Sequence, residues 1–421
     1  MSKNEKVSKR TLWSIILLSF AGELAWAVEN QYFNVFIYQE IAPQPLYVSL
    51  MVAVTAAVST FTTILMGTLS DTKGKRRIFL LFGYVFWTIT TGIFPLAGYL
   101  QPIWLAVTIA ILFDSIMSFF GATANDATLN AYVTDVTTLK NRGAVGAVKE
   151  IMFLLAILVV YGFAGVIIEV VGFYNFFYII ALVVGVVGIP GALITPEPQG
   201  LRPSELSYWE NLKTTYTKKS LTKNKNFFKI LISTGIWGVA FNVFFPFVLI
   251  YLDTDLNIDI ALASILIAIA LLVAIIGAYP IGKIVDKAGR KKIAILSIIL
   301  ESIGLFFFAI TENIIIISIS STLWVFAMLC YNISSRTWLK DLYPEEKRGQ
   351  FHGFYLFFNV LIGMTIGPFI GGIIAQSFGK YYVNDYGVPG FTPSMWVFMI
   401  AAILILLAII PLIRAKEYQG E

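Results

Sequence analysis

Long apolar runs alternate with short polar connections along the whole 421-residue chain. Each run approaches or exceeds the roughly 20 residues that an α-helix needs to cross a bilayer. Twelve are read, at 12–38, 46–68, 78–99, 102–134, 145–168, 173–195, 228–252, 260–282, 293–311, 314–339, 350–376 and 393–414. None shows the alternating pattern of an outer-membrane barrel strand. Helices are expected, because backbone polar groups in lipid must bond within their own segment. The predicted class is therefore an all-α integral membrane protein with 12 transmembrane helices.

One long polar connection, 196–227, divides these runs evenly. It separates a first six-helix bundle, 1–195, from a second, 228–421. Within it, SYWENLKTTYTKKSLTKNKNFF mixes aromatic residues with Lys. That composition fits a helix lying on the membrane surface; a plain flexible linker fits as well.

Composition narrows the class further. Charged residues make up 13% of the chain, hydrophobic residues 58%, and the mean hydropathy is +0.80. A soluble domain carries roughly 25% charged residues. The net charge of +5 is thus read as basic residues at a membrane face, with a lipid bilayer and no nucleic acid as partner. A single Cys, Cys330, excludes an intrachain disulfide. With His352 as the one histidine, a zinc site lacks ligands, so neither a metal nor a cofactor is expected. Ala25-Trp26-Ala27 superficially resembles a signal-peptide cleavage site. Glu23 interrupts that apolar region, however, and the run continues to Tyr38, so it reads as a retained first membrane helix.

Lys and Arg set the orientation. They cluster before run 1 and after runs 2, 4, 6, 8, 10 and 12, whereas the alternate connections carry only Lys380. Both termini are predicted to be cytoplasmic.

The basic connections also repeat. GTLSDTKGKRR at 67–77 returns as GKIVDKAGRKK at 282–292, a shift of 215 residues. DVTTLKNRG from Asp135 returns as DLYPEEKRG from Asp341, a shift of 206. Two ordered coincidences point to two pseudo-symmetric halves, an architecture of transporters. Neither Gly-rich string has the GxxxxGK[ST] order of a phosphate loop.

GTLSDTKGKRR resembles the loop 2–3 signature of the major facilitator superfamily, and GKIVDKAGRKK its echo in loop 8–9. The resemblance extends over the chain through the helix count, the long middle connection and IGPFIGG in run 11. It implies a monomeric, non-enzymatic, multi-pass transporter of the cell membrane. Gating falls to Gly67, Asp71, Gly74, Arg76 and Arg142 in the first half, and to Gly282, Asp286, Gly289, Arg290 and Arg348 in the second. Gly67 and Gly282 would let helices approach closely. Asp71 and Asp286 would meet a helix N-terminus or an Arg, with Arg142 and Arg348 as candidate partners. The resemblance implies that such contacts latch the cytoplasmic side.

Ionisable residues within membrane runs are costly and mark function by default. Run 1 carries Glu23 and Asn30 on one face, with Trp26 between them; Glu29 points elsewhere. Run 4 carries Asp126 and Asn130 on one face, and Asp114, Ser118 and Asn125 on another. Lys149 in run 5 matches Asp126 in depth, so an Asp126–Lys149 pair is predicted, for coupling or as a static tie. The second half offers Trp237, Asn242, Glu301, Asn332, Arg336 and Asn359. Arg336 can serve solute or snorkel to the interface; Glu301 can face a helix contact or the headgroups. Trp26 and Trp237 can stack on a sugar ring.

The acids in runs 1 and 4 and the basic residue in run 5 loosely resemble glycoside–cation symporters. Run 2 departs from that group, offering only Thr and Ser as polar groups, which favours H⁺ over Na⁺ as coupling ion. GAVGAVKEIMFLLAIL lacks the Gly-Pro motif of drug antiporters. The resemblance thus implies a cation symporter for a sugar, a glycoside or a similar small polar metabolite, working by alternating access. A lysolipid or amphiphile carrier, or a small-molecule exporter, is the alternative.

Overall fold

The computed structural model describes residues 7–138, 141–198, 201, 203, 208, 225–278, 280–342 and 354–416. These residues form eleven helical segments long and apolar enough to cross a membrane. The first four are α1 (Lys9–Ile41), α2 (Pro45–Lys73), α3 (Arg77–Tyr99) and α4 (Ile103–Val136). The fifth, Arg142–Ile194, runs for 53 residues. A straight helix of that length would measure about 80 Å, far beyond the roughly 30 Å of bilayer hydrocarbon. Gly172, at φ 80° and ψ 163°, breaks it into α5 (142–171) and α6 (173–194). Then follow α7 (Lys225–Asp255), α8 (Ile260–Ala278), α9 (Arg290–Ile310), α10 (Ile314–Asp341), α11 (Leu356–Phe378) and α12 (Met395–Ile413). A short helix, Ile281–Ala288, lies between α8 and α9. Most of the 196–227 connection, read as a surface helix or a flexible linker, lies outside the described residues.

Side-chain acceptors on the preceding residue cap two of the helix starts. Ser8 accepts the Thr11 amide at 3.1 Å ahead of α1, and Asn313 accepts the Ile315 amide at 2.9 Å ahead of α10, satisfying donors that the first turn leaves unpaired.

Several segments are not regular α-helices. Glu29–Phe33 and Ile37–Ile41 in α1, Ala122–Leu129 in α4, Tyr251–Asp255 in α7 and Leu356–Ile362 in α11 are π-helical. A π-helical turn shifts the side chains that follow around the axis, and such turns often occur at functional positions.

The chain divides into two compact units, residues 1–37 with 54–215 and residues 38–53 with 216–421. Residues 38–53, expected in the first bundle, belong by packing to the second unit. Hydrogen bonds to a hairpin of β1 (Tyr381–Val383) and β2 (Pro389–Phe391) hold them there. Phe391 donates its amide to the Pro43 carbonyl at 3.0 Å. Tyr38 donates to the Phe391 carbonyl at 2.7 Å, and Asn384 to the Gln39 carbonyl at 2.9 Å. Within the same unit α11 lies directly on α7. A Cβ on Gly371 would run into the Val243 carbonyl, so the IGPFIGG glycines serve close helix packing.

Candidate functional site

In the first unit, polar side chains of four helices converge. Asn125 of α4 donates to Glu23 Oε1 of α1 at 3.3 Å and approaches Asp126 Oδ1 at 3.4 Å. Ser59 of α2 donates to Asp126 Oδ2 at 3.5 Å. Asn130 donates to the Asp126 carbonyl at 2.8 Å, and Lys149 of α5 donates to Asn130 Oδ1. Trp26 packs on Trp87, ring centroids 5.0 Å apart. Asn30 turns back to the Trp26 carbonyl at 2.7 Å and spends its amide within its own helix.

The predicted Asp126–Lys149 ion pair does not form. The Lys149 ammonium goes to Asn130, one turn beyond Asp126. The reason is the π-helical stretch Ala122–Leu129: faces read from a 3.6-residue repeat do not carry across it. The same stretch splits the second predicted face of α4, so that Asn125 joins Glu23 while Asp114 and Ser118, which precede it, meet Glu29. Ser118 donates to Glu29 Oε1 at 2.8 Å. Glu29, expected to point elsewhere, is only 8% exposed and Asp114 only 1%. Matching depths in α1 and α4 were the signal available in the sequence.

In the second unit the predicted site residues make separate contacts. Trp237 donates its indole N–H to Glu301 Oε2 at 2.8 Å, so Glu301 makes a helix contact. Phe241 stacks on Trp237 at 5.0 Å and Tyr331 covers it at the same distance. The ring expected to offer a stacking face is thus 5% exposed. Asn242 and Asn332 donate to carbonyls one turn back, those of Gly238 and Met328, at 2.8 and 3.0 Å. Asn359 donates across to the Thr234 carbonyl at 3.1 Å, tying α11 to α7. Arg336 donates to the Tyr355 hydroxyl at 3.1 Å.

At the α2–α3 connection Arg76 is the hub. It donates to Asp71 Oδ1 at 2.6 Å, to Asp135 Oδ2 at 2.8 Å and to Ser70 Oγ at 2.5 Å, and its side chain is 3% exposed. Burial alone would lower its pKa, but the bonds to Asp135 and Asp71 outweigh it and hold the guanidinium above its ordinary value. The Glu197 carboxylate accepts the Arg76 and Arg77 amides at 2.9 and 3.1 Å, capping α3. Arg142, the expected partner of Asp71, instead donates to Thr137 Oγ1 and the Thr134 carbonyl at the end of α4. It is too committed to its own turn to reach α2.

The second half repeats the arrangement in part. Arg290 meets Asp341 at 2.6 Å, as Arg76 meets Asp135. Gly74 and Gly289 end their helices at φ 60° and 93°, a left-handed geometry that side-chain-bearing residues avoid. Gly67, in contrast, is not at a forced approach: an added Cβ would lie an ordinary 3.8 Å from the Ala127 Cβ. Arg348 lies outside the described residues, as do the surroundings of Gly282 and Asp286.

By comparison with known families, the Major Facilitator Superfamily model matches residues 12–252 and again 230–419. No curated protein sequence matches the chain. Several solved structures share the fold. The nucleoside transporter NupG superposes with a TM-score of 0.74 at 16% identity, over 98% of this chain and 100% of its own. The xylose transporter XylE from E. coli, in an inward-open conformation, gives 0.72 at 16% identity, over 97% and 98%. A bacterial homologue of the human lysosomal transporter Spinster gives 0.66 at 14% identity, over 96% and 94%.

Proposed function

The chain belongs to the major facilitator superfamily, and from that premise we propose that it is a cation-coupled symporter of a small polar solute in the cell membrane. Twelve crossings follow if α5 and α6 each span once, which places both termini on the basic, cytoplasmic side. The observation that carries the reading is the polar layer of Glu23, Asn125, Asp126, Asn130 and Lys149 inside an apolar helical bundle. Ionisable groups at that depth are too costly to keep for packing alone. Carboxylates beside amides suit hydroxyl-rich solutes, such as a sugar or glycoside, together with a cation. H⁺ is favoured over Na⁺, because α2 brings a single hydroxyl, that of Ser59, to Asp126. Two fold relatives, a nucleoside transporter and a xylose transporter, agree with a small polar cargo. The Arg76 and Arg290 ion pairs are the gate elements, made and broken as access alternates.

Purified protein in proteoliposomes tests this. Labelled sugars, nucleosides and lysolipids are offered with and without an inward proton gradient. Gradient-driven accumulation of a sugar or nucleoside is the expected result. Movement of lysolipid alone, or a solute flux indifferent to any cation gradient, sinks it.

A further inference from the structure

Glu29 and Asp114 face one another between α1 and α4, apart from the layer just described. Each lies roughly 16–18 Å along its helix from the end at the α1–α2 or α3–α4 connection, so the two match in depth. Their carboxyl groups are within hydrogen-bond reach of each other. The Ser118 hydroxyl donates to Glu29 Oε1 at 2.8 Å. Glu29 Oε2 and Asp114 Oδ1 are buried without a donor among the described residues. Ionised carboxylates only accept, so two of them in contact leave a donor missing between those oxygens.

Among the described residues no basic side chain acts on either carboxyl group. The charged groups acting on Glu29 are Asp114 and Asp126 of α4, and on Asp114 only Glu29. Lys149 of α5 acts on Glu23, Asp126 and Glu150 instead. Nearby on α1 and α5, Tyr32 and Tyr161 pair with each other, ring centroids 6.3 Å apart. Two like charges so placed in a region of low dielectric repel strongly. A metal ion would need more ligands than are present: no group of three metal-ligating side chains occurs among the described residues.

We propose that Glu29 and Asp114 are a proton-binding pair, one proton held between two carboxyl groups, and that it serves as a coupling site of the first unit together with Asp126. The proton forms an O–H bond to one carboxylate and a hydrogen bond to the other; its release leaves two carboxylates that α1 and α4 must separate or expose to water. The role as coupling site rests on the symport reading above; proton binding does not.

Infrared spectroscopy of the full-length protein in proteoliposomes tests the pair without any solute. At neutral pH the wild type is expected to show a carboxylic-acid C=O band that shifts in deuterated buffer. Glu29→Gln and Asp114→Asn should each shift that band, and the double variant should lose it, while Glu23→Gln leaves it in place. Absence of the band from the wild type, which needs no variant to fold, overturns the proposal. So does a band that survives unshifted in a double variant with wild-type helix content, or one removed by sodium chloride at constant pH, which would make the pair a sodium site. If the band behaves as expected but wild-type uptake ignores the proton gradient, the symport reading fails and the site stands.

Discussion

Arg76 Nε donates to Asp135 Oδ2 at 2.8 Å, joining the two repeated sequence motifs of the first half through one buried guanidinium. Arg290 and Asp341 make the equivalent contact at 2.6 Å in the second half. The two motifs therefore recur together because each half builds one structure from both.

Removal of Arg76 should be severe, because Asp135 and Ser70 lose their shared donor. Arg76→Ala is expected to lower stability by about 3 kcal/mol, as when one member of a buried pair is deleted. The Asp71 side chain is 58% exposed, so Asp71→Ala should cost no more than about 1 kcal/mol. Thermal unfolding of the detergent-solubilised variants measures both. Equal losses would mean that Asp71, not Asp135, anchors the hub.

The glycines of the first motif should separate. Gly74→Ala forces a side chain into a left-handed conformation and should cost about 1–2 kcal/mol, whereas Gly67→Ala adds a methyl at ordinary contact distance and should be near neutral. The same melting experiment, with uptake rates alongside, reads the difference. A destabilising Gly67→Ala paired with a silent Gly74→Ala would contradict this geometry.

Asp126 and Asn130 should have separable effects. Asp126→Asn is expected to abolish accumulation against a gradient, at least tenfold below wild type, while protein still reaches the membrane. Asn130→Ala should strip Lys149 of its partner but, because that bond is exposed, cost no more than about 1 kcal/mol. Accumulation at the wild-type level in Asp126→Asn would remove that carboxylate from the coupling machinery.

Glu301 should matter through its acceptor oxygen rather than its charge. Glu301→Leu leaves the Trp237 indole N–H unpaired, at a cost of about 1–3 kcal/mol; Glu301→Gln keeps an acceptor and should recover most of it. Stability together with the emission of Trp237, assigned by difference from Trp237→Phe, distinguishes the two. Indistinguishable Leu and Gln variants would show that the hydrogen bond contributes little.

Much of this protein is legible in its chain. Apolar runs of bilayer length, the bias of Lys and Arg among their connections, and two motifs returning at shifts of 215 and 206 residues specify a duplicated helical membrane protein. These properties depend only on transfer of side chains into lipid and on local backbone chemistry, such as the left-handed turn that demands Gly74 and Gly289. Glu23, Asp126, Asn130 and Lys149 were recognisable for the same reason, being expensive where they lie. Their partners were not. Lys149 chose Asn130 over Asp126, Glu29 joined Asp114, and Arg76 rather than Arg142 took Asp71. A single π-helical stretch in α4 re-aims the side chains beyond it, and hydrogen-bond reach spans only a few ångströms. Which polar group finds which is therefore decided by the packed helices, while the presence of those groups in the membrane is decided by the chain.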